Sequence, residues 1–228
     1  MWYLPCLRHK AAETEEQLMQ RVILQFSKLG ALRFVSHLDF QRLWQRLFRI
    51  AGIELEHTQG FNPRPRLRFA LPLATGFESE GELLEVFLVR EHPGLAEAVN
   101  SVCPPGLEVL AATPVAQDFP KLTSLVDALE YRVVLPQGQE VALGKVSDWL
   151  EAKGESLRLS DYVLTSQVKN GEWRLLIKVE NQKTLRPDLI AHHYFPQYDE
   201  VEFQITRTGI FTRRRINPLP RGLSILFD

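Results

Sequence analysis

Residues 21–50 read RVILQFSKLGALRFVSHLDFQRLWQRLFRI, and within them the hydrophobic period changes once. Residues 21–28 alternate and are rich in β-formers, which predicts a strand. From Ser36 onward the period lengthens: Phe40, Leu43, Trp44, Leu47, Phe48 and Ile50 form a broad apolar stripe at helical spacing. Ser36 followed by Asp39 is a capping-box variant, and Gly52 stands where a left-handed C-terminal cap belongs. A strand feeding a capped amphipathic helix opens a βα unit, and the rest of the chain is read from that start.

Toward the C-terminus, RLRFALPL (66–73) and ELLEVFLV (82–89) alternate as two strands, joined by a turn-rich stretch containing Gly76 and Gly81. GLAEAVNSV (94–102) predicts a helix stopped by Pro104 and Pro105, and LEVLAATPV (107–115) a closing strand. That order is βαββαβ, the ferredoxin-like unit. After a mixed segment at 114–125 the order recurs. YRVVLP (131–136) reads as a strand and EVALGKVSDWLEA (140–152) as a helix. YVLTSQVK (162–169) and EWRLLIKV (172–179) form a hairpin across Asn170-Gly171. LRPDLIAHHYF (185–195) reads as a helix and VEFQITRTGIF (201–211) as the last strand. The expected fold is α+β, two tandem ferredoxin-like halves at 21–116 and 127–228 behind an N-terminal extension at 1–20. The tail from Arg213 adds an edge strand or packs as an arm.

Composition narrows the function classes. With 228 residues, 45% hydrophobic, 24% charged and a net charge of −1, the chain matches an ordinary soluble globular protein. No apolar run approaches the roughly 18–20 residues a membrane span needs, and the first twenty residues lack the pattern of a secretory signal. Cys6 and Cys103 lie in no ligand pattern and read as free thiols of a reducing cytoplasm. Without a CxxxCxxC triad the chain cannot by itself hold the iron–sulfur cluster of a radical S-adenosylmethionine (SAM) enzyme. No metal site or cofactor motif is expected, for HExxH, GxSxG, P-loop and GxGxxG are all missing.

The distinctive feature is arginine. Between Arg33 and Phe69 the chain carries seven arginines, no lysine and three acidic residues. Guanidinium favours planar, bidentate recognition of phosphate or carboxylate. Arg42, Arg46 and Arg49 share one face of the predicted helix, with no glutamate at i±4 to pair with them. In GFNPRPR (60–66) the prolines favour extended backbone, so Arg64, Arg66 and Arg68 form a row on one side, about 6–7 Å apart. Phe61 is placed to stack on a base or to plug a partner's pocket, with Asn62 beside it. Arg207, Arg213, Arg214, Arg215 and Arg221 make a third basic cluster, contributing if the fold brings all three clusters to one surface.

Catalytic candidates are fewer. His37 with Asp39 opens the arginine helix, and His57 is a second histidine of this region, although a lone histidine near a helix N-terminus is more often structural. His192 and His193 are adjacent and point apart on a helix, a poor chelating pair. Glu78, Glu80, Glu82 and Glu85 are expected to solvate a loop rather than to form an acidic rim.

The stretch from Leu32 to Val86 resembles the radical-SAM-linked protein family, a bacterial family of unknown function found alone or fused behind a cobalamin-binding radical SAM protein. Arg33, Phe34, Ser36, His37, Leu38 and Asp39 carry the resemblance, followed by Gln59-Gly60-Phe61-Asn62-Pro63 and then Leu73, Gly76, Ser79 and Glu82. It extends more weakly from Arg21 to near Phe211. The chain has Arg64 where that family often has histidine, which favours an anion-binding role over a histidine-dependent mechanism. Tandem ferredoxin-like halves are also similar, at fold level, to CRISPR repeat-processing endoribonucleases, whose glycine-rich signature is missing here. The resemblance implies a cobalamin-binding radical SAM protein as partner.

Three functions follow. The first is a non-catalytic accessory protein binding RNA (tRNA or rRNA) or presenting an RNA- or ribosome-associated substrate, through Arg33, Arg42, Arg46, Arg49, Phe61, Asn62, Arg64, Arg66, Arg68 and Arg213–Arg215. The second is a protein–protein adaptor whose arginines grip carboxylates on the radical SAM enzyme. The third is an RNA-processing or RNA-modifying enzyme using His37 with Asp39. Binding is favoured over catalysis.

Overall fold

The computed structural model describes residues 19–134, 149–152, 155–169, 171–198 and 203–226. The fold is mixed α+β, a large mixed sheet with three helices among the described residues. Its first half runs β1 (Gln20–Lys28), α1 (His37–Ile50), β2 (Leu67–Phe69), β3 (Glu78–Leu88), α2 (Leu95–Asn100) and β4 (Leu107–Val115). Spatially the strands lie β4-β1-β3-β2, all neighbours antiparallel. The second half contributes β5 (Ala128–Val134), β6 (Trp149–Ala152), β7 (Glu155–Arg158), β8 (Val163–Lys169), β9 (Glu172–Glu180), β10 (Lys183–Thr184), α3 (Pro187–Tyr194), β11 (Gln204–Thr212) and β12 (Leu223–Ile225). Here the order is β8-β9-β5-β11, again antiparallel. β11 then pairs parallel with the start of β3, at Thr206↔Glu78 and Arg207↔Ser79, so strands of both halves join one sheet of ten. β6 and β7 form a separate hairpin.

Two cores follow from the strand alternation. Val22, Leu24 and Phe26 of β1 and Leu84, Val86 and Leu88 of β3 face α1 and α2, which supply Phe40, Trp44, Leu47, Phe48, Leu95 and Val99. Ile23 and Leu83 point the other way, into a core shared with Phe119, Leu122 and Leu125 and with β5, β9 and α3. Trp44 is fully buried, and its ring meets Phe26 edge-on at 4.9 Å and Phe48 at 5.7 Å. Removing such an aromatic from a core costs about 3–5 kcal/mol. Ile50, read as part of the stripe, is instead exposed, because the helix ends as the stripe turns away from the sheet.

The helix signals act as read. Ser36 Oγ accepts the Asp39 N–H at 3.2 Å. Gly52 is left-handed (φ 71°), its N–H reaches the Arg49 carbonyl at 3.2 Å, and the Ile53 N–H reaches Phe48 at 2.9 Å. This is a Schellman closure, with buried Ile53 as its apolar contact.

Two expectations are corrected. Gly81 lies inside β3 rather than in a turn, since β3 begins at Glu78. A side chain at Gly81 would meet the end of the Gln25 side chain. The helix expected at 140–152 ends in strand: Trp149 is exposed and Leu150 buried, a period of two that pairs with Leu157 and Arg158. The rest of that segment, Asn170 and Cys6 lie outside the described residues. The tail from Arg213 does both things foreseen for it. Leu223–Ile225 pairs parallel with β11, and Ile216 and Leu219 pack on the second core.

Candidate functional site: an arginine groove beside a hairpin

After α1 the chain doubles back on itself. The Arg66 N–H donates to the Glu56 carbonyl at 2.7 Å, the Thr58 N–H to Arg64 at 2.8 Å, and His57 bridges to Pro65. The Glu56 N–H ties this hairpin to Phe87 of β3 at 2.8 Å. Gln59–Pro63 therefore form its tip. Gly60 takes φ 129°, and Phe61 projects with 105% relative exposure, its ring without protein contact. Between hairpin and helix lies a groove of about 540 Å³ lined by Arg42, Arg46 and Arg49 on one wall and His57 and Pro65 on the other. Arg42 pairs with Asp39 at 3.0 Å, an acid at i−3 rather than i±4. Arg46, Arg49 and Arg64 are exposed and form no ion pair with any described residue. Glu54, which also lines the groove, is drawn to Arg90 at 3.3 Å.

The row expected at Arg64, Arg66 and Arg68 is not a row of free guanidinium groups. Arg66 lies over the Phe87 ring, 3.8 Å from its centroid, and pairs with Glu56. Arg68 stands opposite Glu85 in the β2–β3 ladder and pairs with it at 2.8 Å. Extended backbone does aim these side chains alike, but the neighbouring strand supplies carboxylates to two of the three. Arg33 is half-buried and reaches Glu78 at 3.6 Å while covering Phe34.

The three basic clusters do not converge. Gly222 of the tail approaches the Gln25 side chain, on the β1 face that carries Ile23, whereas α1 covers the face of Val22, Leu24 and Phe26. Arg213, Arg214 and Arg215 are exposed and belong to this opposite side, where the Arg213 N–H is held by Asp127 at 2.7 Å. Arg207 is not a surface charge at all. It is buried, with one terminal nitrogen 3.0 Å from each Glu82 oxygen and the other 3.0 Å from the Tyr131 hydroxyl.

Sequence reasoning missed a second set of polar residues, and the signal was present: two glutamates inside the apolar run ELLEVFLV. Glu82 and Glu85 are buried, not solvating a loop, and a buried carboxylate requires a cation. Glu85 receives Arg21, whose remaining donors take the carbonyls of Gln117, Phe119 and Pro120 and so clasp the segment joining the halves. Lys28 ends the inward face of β1 and is buried too, its ammonium 3.1 Å from the Val35 carbonyl and 4.8 Å from the Phe40 ring centre. Burial lowers its pKa, opposed by Glu82. His37 shares a cavity of about 10 Å³ with Lys28, Glu82 and Phe69, large enough for one water. Burial and then the Lys28 charge lower the His37 pKa, against the pull of Glu82.

The candidate pair His37 and Asp39 therefore look in different directions. Asp39 is exposed, bonded to Ser36 Oγ at 2.8 Å and to Arg42, and these hydrogen bonds hold its pKa below the usual carboxylate range. Among the described residues no cluster of histidine, cysteine and acidic side chains suits a metal ion, and no helix is long and apolar enough to cross a membrane. Cys103 is a free thiol pushed up to about 11 by burial.

A family model described as "Uncharacterized protein conserved in bacteria (DUF2344)" matches residues 21–190. That span takes in α1, the hairpin, Lys28, Glu82 and Glu85, and stops before β11 and the basic tail. No curated protein matches the chain.

Proposed function

The chain belongs to that uncharacterized bacterial family, and from this premise we propose that it is a non-catalytic accessory protein of a radical SAM enzyme, holding RNA or an RNA-associated substrate in its arginine groove. One observation carries the reading. Arg46 and Arg49 are exposed, lack carboxylate partners among the described residues and line a groove of about 540 Å³, with the hairpin as its other wall. Cations left unneutralised beside a concave surface are suited to an anionic chain. The link to a cobalamin-binding radical SAM protein rests on motif resemblance, and the SHLD and GFNPRPR segments that carry it also build the helix start and the hairpin. The strand orders β4-β1-β3-β2 and β8-β9-β5-β11 support reading each half as a ferredoxin-like unit. A cytoplasmic location accords with the free Cys103 thiol.

Within this reading the binding residues are Arg42, Arg46, Arg49, Phe61, Asn62 and Arg64. Arg66 and Arg68 serve mainly to brace the hairpin and β2. Binding to tRNA or rRNA fragments, followed by fluorescence anisotropy, should weaken with salt along a log–log slope of about −2 to −3, as three or four phosphate contacts demand. Arg46→Glu with Arg49→Glu removes two charge-assisted contacts worth about 1.5 kcal/mol each, so affinity should fall roughly 100-fold. No binding at low salt, together with nuclease-resistant co-purification of the radical SAM protein, would replace RNA with the protein–protein adaptor.

A further inference from the structure

We propose that the hairpin tip and groove recognise single-stranded rather than paired RNA, one unpaired base stacking on Phe61 while the adjoining phosphates lie on Arg46 and Arg49; this rests on the nucleic-acid reading above. Phe61 is the starting point. Its ring is wholly in water, on a tip whose arms are cross-bonded at Glu56–Arg66 and Thr58–Arg64 and stiffened by Pro63 and Pro65. The braced arms fix the backbone that carries the ring, so only its own side-chain rotation remains to be ordered when a ligand arrives, and it offers a flat apolar face.

The ligand must present a matching face. In an A-form duplex the base faces are occupied by their stacked neighbours, and the major groove is too deep and narrow for a side chain to enter. Unpaired nucleotides expose those faces, and their recognition typically couples aromatic platforms to cationic grooves that follow the backbone.

The charges across the groove suit the same ligand. Pro65, four residues after Phe61, lines the wall that faces Arg46 and Arg49. On α1, Arg42 and Arg46 are one turn apart, about 5–6 Å between Cβ atoms, and Arg49 continues the line. A protein pocket receiving Phe61 would need a rim of carboxylates to meet these guanidinium groups. RNA supplies base and anion together.

The test uses the full-length chain and three fluorescent RNAs of equal length: an oligouridine, a hairpin with an unpaired loop, and a fully paired duplex. The oligouridine and the loop should bind at least about tenfold more tightly than the duplex. Phe61→Ala should cost the unpaired RNAs about 10- to 100-fold, the range for losing one stacked base, and leave duplex binding unchanged. Phe61→Trp should restore affinity, with its indole emission quenched on binding. The ring makes no contact in the free protein, so neither variant perturbs folding. Equal affinity for all three RNAs with no effect of Phe61→Ala overturns the single-strand inference and leaves the groove reading standing. Loss of binding to every RNA in the unmodified chain overturns both. Loss of radical SAM protein capture in Phe61→Ala, with RNA affinity intact, assigns the tip to a protein pocket and overturns the inference.

Discussion

At the scale of single residues, arginines of identical chemistry serve opposite purposes according to what faces them. Arg21 and Arg207 are internal ties to Glu85 and Glu82, Arg66 and Arg68 are braces nearer the surface, and Arg46, Arg49 and Arg64 form no ion pair with any described residue. The best reporter of the buried Lys28 and Glu82 is His37, exposed at the start of α1 but sharing a small cavity with them. Its pKa is lowered by burial and by the Lys28 charge and raised by Glu82. Lys28→Met should therefore move the His37 titration upward, and Glu82→Gln should move it further down, both read by NMR of the imidazole protons. Linkage gives a second readout with a definite sign. A histidine whose folded pKa lies below 6.5 contributes stability present above that value and lost as pH falls through the folded pKa. The melting temperature should thus fall more between pH 6.5 and the folded pKa in the wild type than in His37→Gln. Equal slopes would show that His37 titrates as a solvent-exposed group.

Among the elements, α1 and the hairpin after it are where local signals and binding surface coincide. The cap, the apolar stripe and the Schellman glycine act through neighbours within one or two turns, so they can be read along the chain. Ser36→Ala should destabilise the protein by about 1 kcal/mol, seen as a lower urea midpoint with unchanged slope, because the Asp39 N–H loses its acceptor. β3 shows where such reading fails. Its first residues, ESEG, look like a loop by composition, yet they pair with Lys28 of β1 and with Thr206 and Arg207 of β11. Burial alternates there, Ser79 and Gly81 inward and Glu80 outward, but the inward side chains are small or polar, so no apolar alternation marks the strand. Trp149 and Leu150 show the reverse error: two apolar residues at the end of an apparent helix proved to be one arm of a hairpin.

For the whole molecule, the joint between halves is the decisive feature. β11 pairs with both β5 and β3, Arg207 crosses to Glu82, and Arg21 holds the carbonyls of residues 117–120. Halves tied by buried charge should unfold together. Urea transitions followed at Trp44 in the first half and Trp173 in the second, each in a variant retaining that tryptophan, should coincide. Arg207→Met leaves Glu82 buried without its ion pair and should cost about 3–5 kcal/mol. Separate transitions in the parent chain would show the joint to be weak. The same architecture divides the basic surface, because α1 and the tail lie on opposite faces of the sheet.

What the sequence determined by itself was local: the α+β class, the first strand and its capped helix, the proline-stiffened turn, and a concentration of arginine that calls for anions. Those features depend on backbone preferences and side-chain spacing within a few residues. Which guanidinium groups remain available was decided by tertiary structure alone. Neutralisation depends on the carboxylate lying across a ladder or beneath a helix, and Glu85 meets Arg21 from 64 positions away and Glu82 meets Arg207 from 125.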